Sequence, residues 1–353
     1  MSTPSGRSWA ARSATVQATR SNYTRAHRGA TTPYLEYFTD RSRGRVIADV
    51  LQSEQGAWFH RKANRNMIVE VREDVVVGPE FCWLTVGQLL ELMGHDNVVN
   101  MDARTVLSCM PFTAAGQRID AGDPWRAALV RSLGPDPDGL EAGAVLSWIT
   151  DARARYSLHS ERVPLHGIAG WHRTPTEIVN EEGRYFRVIA TSVRASNREV
   201  ASWSQPLVEP ADEGLVALVV ARIGGVVHAL MHARVEPGYR HVAELAPTVQ
   251  CAIGNYRGLP ADHRPAFLDL VLDAPPEAIR YDVLLSEEGG RFYHAQNRYR
   301  VVEVDDPERL PVGQDLQWVR IGVLTELLRH SHYLNVQARS LIASLHSLWA
   351  GRG

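Results

Sequence analysis

The sequence predicts an α+β protein built from a repeated unit, and three observations predict it. Thr15-Val16-Gln17 with Asn22-Tyr23 returns as Thr248-Val249-Gln250 with Asn255-Tyr256, an offset of 233 residues. β-Branched runs on either side of Gly224-Gly225 read as paired strands. The tail then changes period: Val323, Leu324, Leu327 and Leu328 sit at helical spacing, as do Leu341, Ile342, Leu345 and Leu348. A mixed sheet followed by helices places each full copy in the α+β class.

The repeat holds far downstream. The same offset carries Ser53-Glu54, Gly56, Phe59, Asn64-Arg65 and Val69-Glu70-Val71 onto Ser286-Glu287, Gly289, Phe292, Asn297-Arg298 and Val302-Glu303-Val304. Beyond that block the offset becomes 235. It pairs Trp83 with Trp318, Leu89 with Leu324, Leu92 with Leu327, Asn100 with Asn335, and Ala103-Arg104 with Ala338-Arg339. A register kept over so many positions implies tandem copies of one domain rather than a solenoid. The second copy has a long upstream part, from about Val163 to Pro247, whose counterpart would begin before Met1. The first copy is therefore expected to be incomplete, with uncovered strand edges.

In chain order, residues 1–13 are small and polar and read as a disordered leader. The remnant of the first copy spans 14–110, connecting helices and linker 111–160, and the complete second copy 161–353. The Gly/Asp/Pro-rich stretch Pro111–Gly143 surrounds one short helix, Trp125–Leu133, and a second helix is expected over Leu146–Tyr156. Tyr185–Val193 alternates on a period of two. Leu215–Arg222 and Val226–Val235 form a hairpin, because both glycines of the turn tolerate positive φ. A further hairpin is expected from Arg291–Gln296 and Arg300–Val304 around Asn297-Arg298. Asn100 and Asn335 are expected to cap the helices that follow them.

Bulk composition narrows the function. Apolar residues make up 44% and charged residues 22%, ordinary values for a globular protein. A net charge of −2 gives no footprint for nucleic acid or an anionic membrane. Lys62 is the only lysine in an arginine-rich chain, which a GC-rich genome explains. Cys82, Cys109 and Cys251 are widely spaced, which fits a reducing cytoplasm and argues against disulfides or a structural zinc. No stretch has transmembrane length, and the start lacks a signal-peptide core.

Standard signatures are absent: no glycine-rich dinucleotide fingerprint, no P-loop, no HExxH and no GxSxG elbow. His228 and His232 are four apart, but on a strand that is about 13 Å at ~3.3 Å per residue. Bonds of ~2 Å to one ion could not span it. His330 and His332, beside the turn before Asn335, read as surface residues. No metal is expected.

The repeated Thr-Val-Gln…Asn-Tyr element is the better candidate site. It supplies Gln17, Arg20, Asn22, Tyr23, Arg25 and Arg28 from the first copy, and Gln250, Asn255, Tyr256, Arg257 and Arg264 from the second. Arginine forks bind phosphate oxygens, amides read hydroxyls, and a phenol stacks or donates. A pyrophosphate joined to a sugar would suit this set. A structural turn that satisfies its own backbone would repeat equally well. Trp203 and Gln205, in Trp203-Ser204-Gln205-Pro206, form a second polar-aromatic loop, and Glu236 closes a strand at Glu236-Pro237-Gly238.

Several passages resemble the sugar-nucleotide 2,3-dehydratases of antibiotic deoxysugar pathways. They are Ala14–Tyr23 with Tyr34-Leu35-Glu36-Tyr37-Phe38, Glu182–Phe186 with Thr191–Pro206, and Val235–Tyr256. The resemblance runs over nearly the whole chain from about residue 14. It implies two Nudix-like domains arising by duplication, a cytoplasmic homodimer, and a thymidine-diphosphate sugar bound without a redox cofactor. The Nudix hydrolase box is missing, which disfavours diphosphate hydrolysis.

The implied reaction converts dTDP-4-keto-6-deoxy-D-glucose to the 3,4-diketo-2,6-dideoxy sugar nucleotide, for a 3-ketoreductase to reduce. The C4 ketone acidifies the C3 proton, so one positioned base removes it. The enolate needs a donor at the C4 oxygen, and an acid assists loss of the C2 hydroxyl. Base and acid are sought among Tyr23, His27, Glu236, Glu244 and Tyr256. Substrate contacts are expected from Gln17, Arg20, Asn22, Arg25, Arg28, Trp203, Gln205, Gln250, Asn255, Arg257 and Arg264. A non-catalytic sugar-nucleotide binder and a nucleotide-sugar hydrolase are the alternatives.

Overall fold

The computed structural model describes residues 33–112, 122–136, 139–196 and 201–349. A seven-stranded mixed sheet forms the centre. It contains β7 (Gly214–Ile223), β8 (Val226–Val235), β9 (Ala243–Ala246), β10 (Val249–Ala252), β11 (Ile279–Ser286), β12 (Gln296–Val304) and β13 (Leu316–Arg320). The path runs β11-β12-β7-β8-β13, with β10 added to β7 and β9 added to β8. β12 runs parallel to β7, and the other pairings are antiparallel.

β7 explains why the sheet is covered on both sides. Val216, Leu218 and Val220 enter the larger core, while Leu215, Ala217 and Val219 enter a second core on the opposite face. Alternate side chains of a strand point to opposite faces, so a run apolar at every position demands two covers. The larger core is closed by α4 (Pro124–Ser132), α5 (Leu140–Arg155), α7 (Ile321–Leu327) and α8 (Val336–Trp349). Trp125, Leu129, Val145 and Ile149 of the two connecting helices are buried there. The opposite face is covered by α6 (Leu268–Leu272), with Ile253, Tyr256 and Trp318. Gly224 (φ 59°) and Gly225 (φ 81°) make the expected turn between β7 and β8.

A separate hairpin joins β1 (Gly44–Ser53) and β2 (Ala63–Val71), after the short helix α1 (Glu36–Thr39). It is followed by α2 (Val86–Leu92) and α3 (Met101–Ser108). A four-stranded antiparallel sheet, β3 (Trp171–Arg173), β4 (Glu177–Asn180), β5 (Phe186–Arg194) and β6 (Ser202–Pro210), stands beside these.

The offsets of the sequence repeat reappear in the element bounds. β1 ends at Ser53 and β11 at Ser286; β2 is Ala63–Val71 and β12 is Gln296–Val304. α2 and α7 coincide under the offset of 235, and α3 and α8 begin at matching residues. Asn100 Oδ1 accepts from the Ala103 amide at 2.8 Å, and Asn335 Oδ1 from the Ala338 amide at 2.9 Å. Each asparagine satisfies one of the helix's otherwise unpaired N–H groups.

The two segments also lock together. Arg104 donates to the carbonyls of Val99 and Ser286, and Arg339 donates to those of Leu334 and Ser53. Both arginines are fully buried. Gly238 N–H donates to Gly56 O at 2.8 Å, and Arg61 N–H to Gly238 O at 2.9 Å. A Cβ on Gly238 would collide with the backbone oxygens of Phe59 and Gly56, so only glycine allows this approach.

Two expectations are corrected. Asn297-Arg298 is not a turn: both lie inside β12, paired with Leu285 and Leu284. The loop of that hairpin is 287–295, and His294 rather than Asn297 takes the left-handed conformation (φ 49°). His332 is not a surface residue. It is 5% exposed, with Nδ1 4.0 Å from Glu244.

Candidate functional site

Where β7 and β10 meet the loops of the first segment, they enclose a cavity of about 370 Å³. One wall is aromatic. Trp58 meets the Phe186 ring at 5.0 Å and the Phe292 ring at 5.7 Å, and Trp171 meets Phe186 at 4.8 Å. The lining also has polar residues, among them Arg234, Glu236, Gln250, Asn255, Glu287 and Asn297. An apolar recess with a few fixed polar groups is the form expected of a small-molecule site.

Neighbours hold Arg234, Glu236, Gln250, Glu287 and Asn297 in place. Glu236 accepts from Arg234 Nε at 2.7 Å and from Gln250 Nε2 at 3.2 Å. Asn335 donates to Gln250 Oε1 at 2.8 Å and to the Tyr239 hydroxyl at 3.1 Å, while also capping α8. The helix start and the pocket wall therefore share one amide. Burial, with Glu236 nearby, pushes the Tyr239 phenol well above its usual range.

Glu287 accepts from Gln55 Nε2 at 2.5 Å, Asn297 Nδ2 at 2.5 Å and the Tyr299 hydroxyl at 3.2 Å. Gln337 in turn donates to Gln55 at 2.9 Å. A Cβ on Gly214 would displace the Asn297 amide oxygen, so the glycine leaves room for this contact.

The expected site residues divide sharply. Glu236, Gln250, Asn255 and Tyr256 come together on the cavity. Gln250 stands in β10 rather than at the start of a loop. Arg257 is not itself a lining residue; it lies 3.6 Å from Asp212, which is, with 76% of its side chain exposed. Arg264 binds Leu259 O and Asp269. Trp203 donates to Gln205, which donates to Gly290 O, and neither lines the cavity.

Glu244 is buried away from the cavity, where it accepts from Ser53 Oγ at 2.5 Å. Burial pushes its carboxyl up to about 7. Gln17, Arg20, Asn22, Tyr23, Arg25, His27 and Arg28 lie outside the described residues.

Sequence reasoning missed Glu287, Gln55 and the aromatic wall. The aromatics are scattered over 58–292 and share no local pattern. Glu287 did carry a signal, because it is the repeat partner of Glu54. On β8, burial holds His228 below its usual range and His232 at about 4, so both favour the neutral form. Among the described residues, the carboxylate oxygens of Glu54, Asp102 and Glu288 lie within 4.8 Å of one another. No helix among the described residues is long and apolar enough to cross a membrane.

Comparison with known proteins assigns the family. The family model for NDP-hexose 2,3-dehydratase matches residues 9–110 and 142–345. The dTDP-4-dehydro-6-deoxy-alpha-D-glucopyranose 2,3-dehydratase of Saccharopolyspora spinosa is 58% identical over 341 residues, covering 96% of this chain and 70% of that protein. Proteins of the same name from Amycolatopsis orientalis and Streptomyces violaceoruber are 48% and 43% identical. They cover 95% of this chain in each case, and 67% and 73% of their own lengths. Among solved structures, a C. elegans Ap4A hydrolase aligns with 33% of this chain and 86% of that one. Its identity is 10% and its TM-score 0.23, too slight a likeness to inform the fold. Matched along most of its length by the family model and by three named relatives, the chain belongs to the NDP-hexose 2,3-dehydratase family.

Proposed function

We infer that this chain is a hydro-lyase that converts dTDP-4-keto-6-deoxy-D-glucose to dTDP-3,4-diketo-2,6-dideoxy-D-glucose in deoxysugar biosynthesis. The observation that carries the reading is 43–58% identity to dehydratases of that name over 95–96% of the chain. The cavity supports it. Its aromatic wall suits a base or the apolar face of a sugar, and its amides and carboxylates suit hydroxyls. Glu236 and Tyr256 are the described members of the expected acid–base set that border it.

The C4 ketone of the substrate makes the C3 hydrogen acidic. A base removes it, the enolate electrons form a C2–C3 double bond, and the C2 hydroxyl leaves as water. The resulting enol tautomerises to the diketone. No hydride moves, so the chemistry needs no nicotinamide.

The finer architecture belongs to the same proposal. Matching element bounds at offsets of 233 and 235 support two Nudix-like repeats, 14–110 and 161–353, joined through 111–160. The working form is a cytoplasmic homodimer whose product passes to a 3-ketoreductase.

The test is incubation of the full chain with the 4-keto-6-deoxy sugar nucleotide and a 3-ketoreductase. A 2,6-dideoxy product is expected. Recovery of unchanged sugar nucleotide would sink the assignment, and release of thymidine monophosphate would favour hydrolysis instead.

A further inference from the structure

Arg234 is the one arginine or lysine among the described residues that line the cavity, set against the carboxylates of Asp212, Glu236 and Glu287. Like charges brought together are unfavourable, so such a lining turns away the diphosphate of a sugar nucleotide and admits an uncharged end. Of the two uncharged ends, only the hexose needs a base and a cation side by side. The dehydratase reading therefore seats the hexose here and leaves the diphosphate outside.

Glu236 and Glu287 are held in different ways. Glu287 is tied at both oxygens: Oε1 accepts from Asn297 and Tyr299, and Oε2 accepts from Gln55. A carboxylate so engaged has to give up a donor before it can take a proton. Glu236 is held through one oxygen. Its Oε1 accepts from both Arg234 and Gln250, while Oε2 accepts from no described residue. Oε2 lies next to Gly56, where a Cβ would come within 2.9 Å of it. The chain neighbours of that glycine, Gln55 and Ala57, both line the cavity.

The guanidinium of Arg234 is likewise only partly engaged. Nε donates to Glu236 at 2.7 Å and Nη1 to Gln250 O at 3.2 Å, but Nη2 donates to no described residue. Arg65, by contrast, grips Asp49 through Nε and Nη2 together. Arg234 also keeps 29% of its side chain exposed, although its partner Glu236 is covered. A guanidinium stays charged and donates without losing its proton, which suits an oxygen that gains charge during a reaction.

We propose that Arg234 is a further catalytic residue of the dehydration, binding the C4 oxygen while the free oxygen of Glu236 acts as the base at C3. This rests on the dehydratase reading. Glu236 takes the C3 proton, and the C3–H electron pair forms the C3–C4 double bond of an enolate whose charge lies on the C4 oxygen. The C4 carbonyl then re-forms, a C2–C3 double bond appears and the C2–O bond breaks. The carboxylic acid of Glu236 gives its proton to the departing oxygen, which leaves as water. Glu236 ends as the carboxylate it began as, and no other reactant is consumed. One cation serves both states. Arg234 faces a carboxylate before the proton moves and an enolate afterwards, so the negative charge shifts without leaving its counter-ion unpaired.

The test uses the full chain with Arg234→Gln, Arg234→Ala, Glu236→Gln and Glu287→Gln. Turnover of the 4-keto-6-deoxy sugar nucleotide is followed with a 3-ketoreductase, and binding is measured by calorimetry with a thymidine-diphosphate hexose that has no ketone. Arg234→Gln should bind that ligand within about 3-fold of wild type yet lower kcat roughly 100-fold or more, the scale of one lost oxyanion donor. Millimolar guanidinium should partly restore kcat to Arg234→Ala. Glu236→Gln should lower kcat by at least roughly 100-fold, the scale of a lost general base. If Arg234→Gln loses as much affinity for the ketone-free ligand as it loses turnover, the guanidinium serves binding or folding alone and the proposal falls. Near wild-type kcat in Arg234→Gln or Glu236→Gln overturns it too, as does an Arg234→Ala that binds but does not respond to guanidinium. A kcat that collapses with Glu287→Gln and not with Glu236→Gln moves the base to the other carboxylate and overturns it equally. A wild-type chain that binds yet turns nothing over defeats the dehydratase reading, and this proposal with it.

Discussion

The guanidinium of Arg339 donates to the carbonyl oxygen of Ser53 at 2.7 Å, joining the last helix to the end of the first strand. It also binds Leu334 O and Thr105 Oγ1, and it has no exposure at all. Arg104 makes the matching contacts to Val99 O, Ser286 O and Ser340 Oγ.

Replacing Arg339 with Met should therefore destabilise the protein by about 3–5 kcal/mol, because it strands buried carbonyls and the Glu54 carboxylate. Urea unfolding monitored by tryptophan fluorescence measures this. A loss under 1 kcal/mol would mean that relaxation or water replaces the guanidinium.

Gly214→Ala tests the polar wall. The new methyl must displace the Asn297 amide, which then stops donating to Glu287. Affinity for a thymidine-diphosphate hexose should fall by roughly 10-fold or more, on the scale of one or two kcal/mol for a lost hydrogen bond to a charged group. Calorimetry showing unchanged affinity would place the ligand elsewhere.

The two helix caps separate folding from binding. Asn100→Ala and Asn335→Ala should each cost about 1 kcal/mol as lost caps. Only Asn335 also holds Gln250 and Tyr239, so only its replacement should weaken ligand binding. Equal binding losses in both variants would refute the link between cap and pocket.

Glu244 gives a prediction in pH. Its carboxyl is raised from 4.5 to about 7 by burial. The folded protein thus holds a proton that the unfolded chain releases. This contribution to stability is complete below about pH 4.5 and disappears as pH rises through 7. Buried His232 and His332, lowered to about 4, act oppositely, losing stability as pH falls below 6.5. Glu244→Gln should remove only the first effect. The difference in melting temperature between variant and wild type should grow in the variant's favour from pH 5 to pH 8. A constant difference would show that Glu244 ionises normally in the fold.

Local chemistry made part of this structure legible. The doubled glycine between β7 and β8 left one sensible turn, and Asn100 and Asn335 preceded apolar periodicity that needed a cap. Asn297-Arg298 misled because asparagine is a turn former, whereas here its amide serves Glu287 from inside a strand. The pocket was legible where one short stretch supplied it, at Gln250, Asn255 and Tyr256. Trp58, Trp171, Phe186 and Phe292 are neighbours only in space, so no window of sequence could assemble them.

The crossed arginines bear on how such a protein can be inherited. Each segment finishes the other's interior, so neither half is a free module. Chimaeras that take 33–110 from one relative and 161–349 from another should be soluble only when each arginine and its carbonyl seat descend together. A substitution near Ser53 will be filtered by what α8 tolerates, more than two hundred codons away.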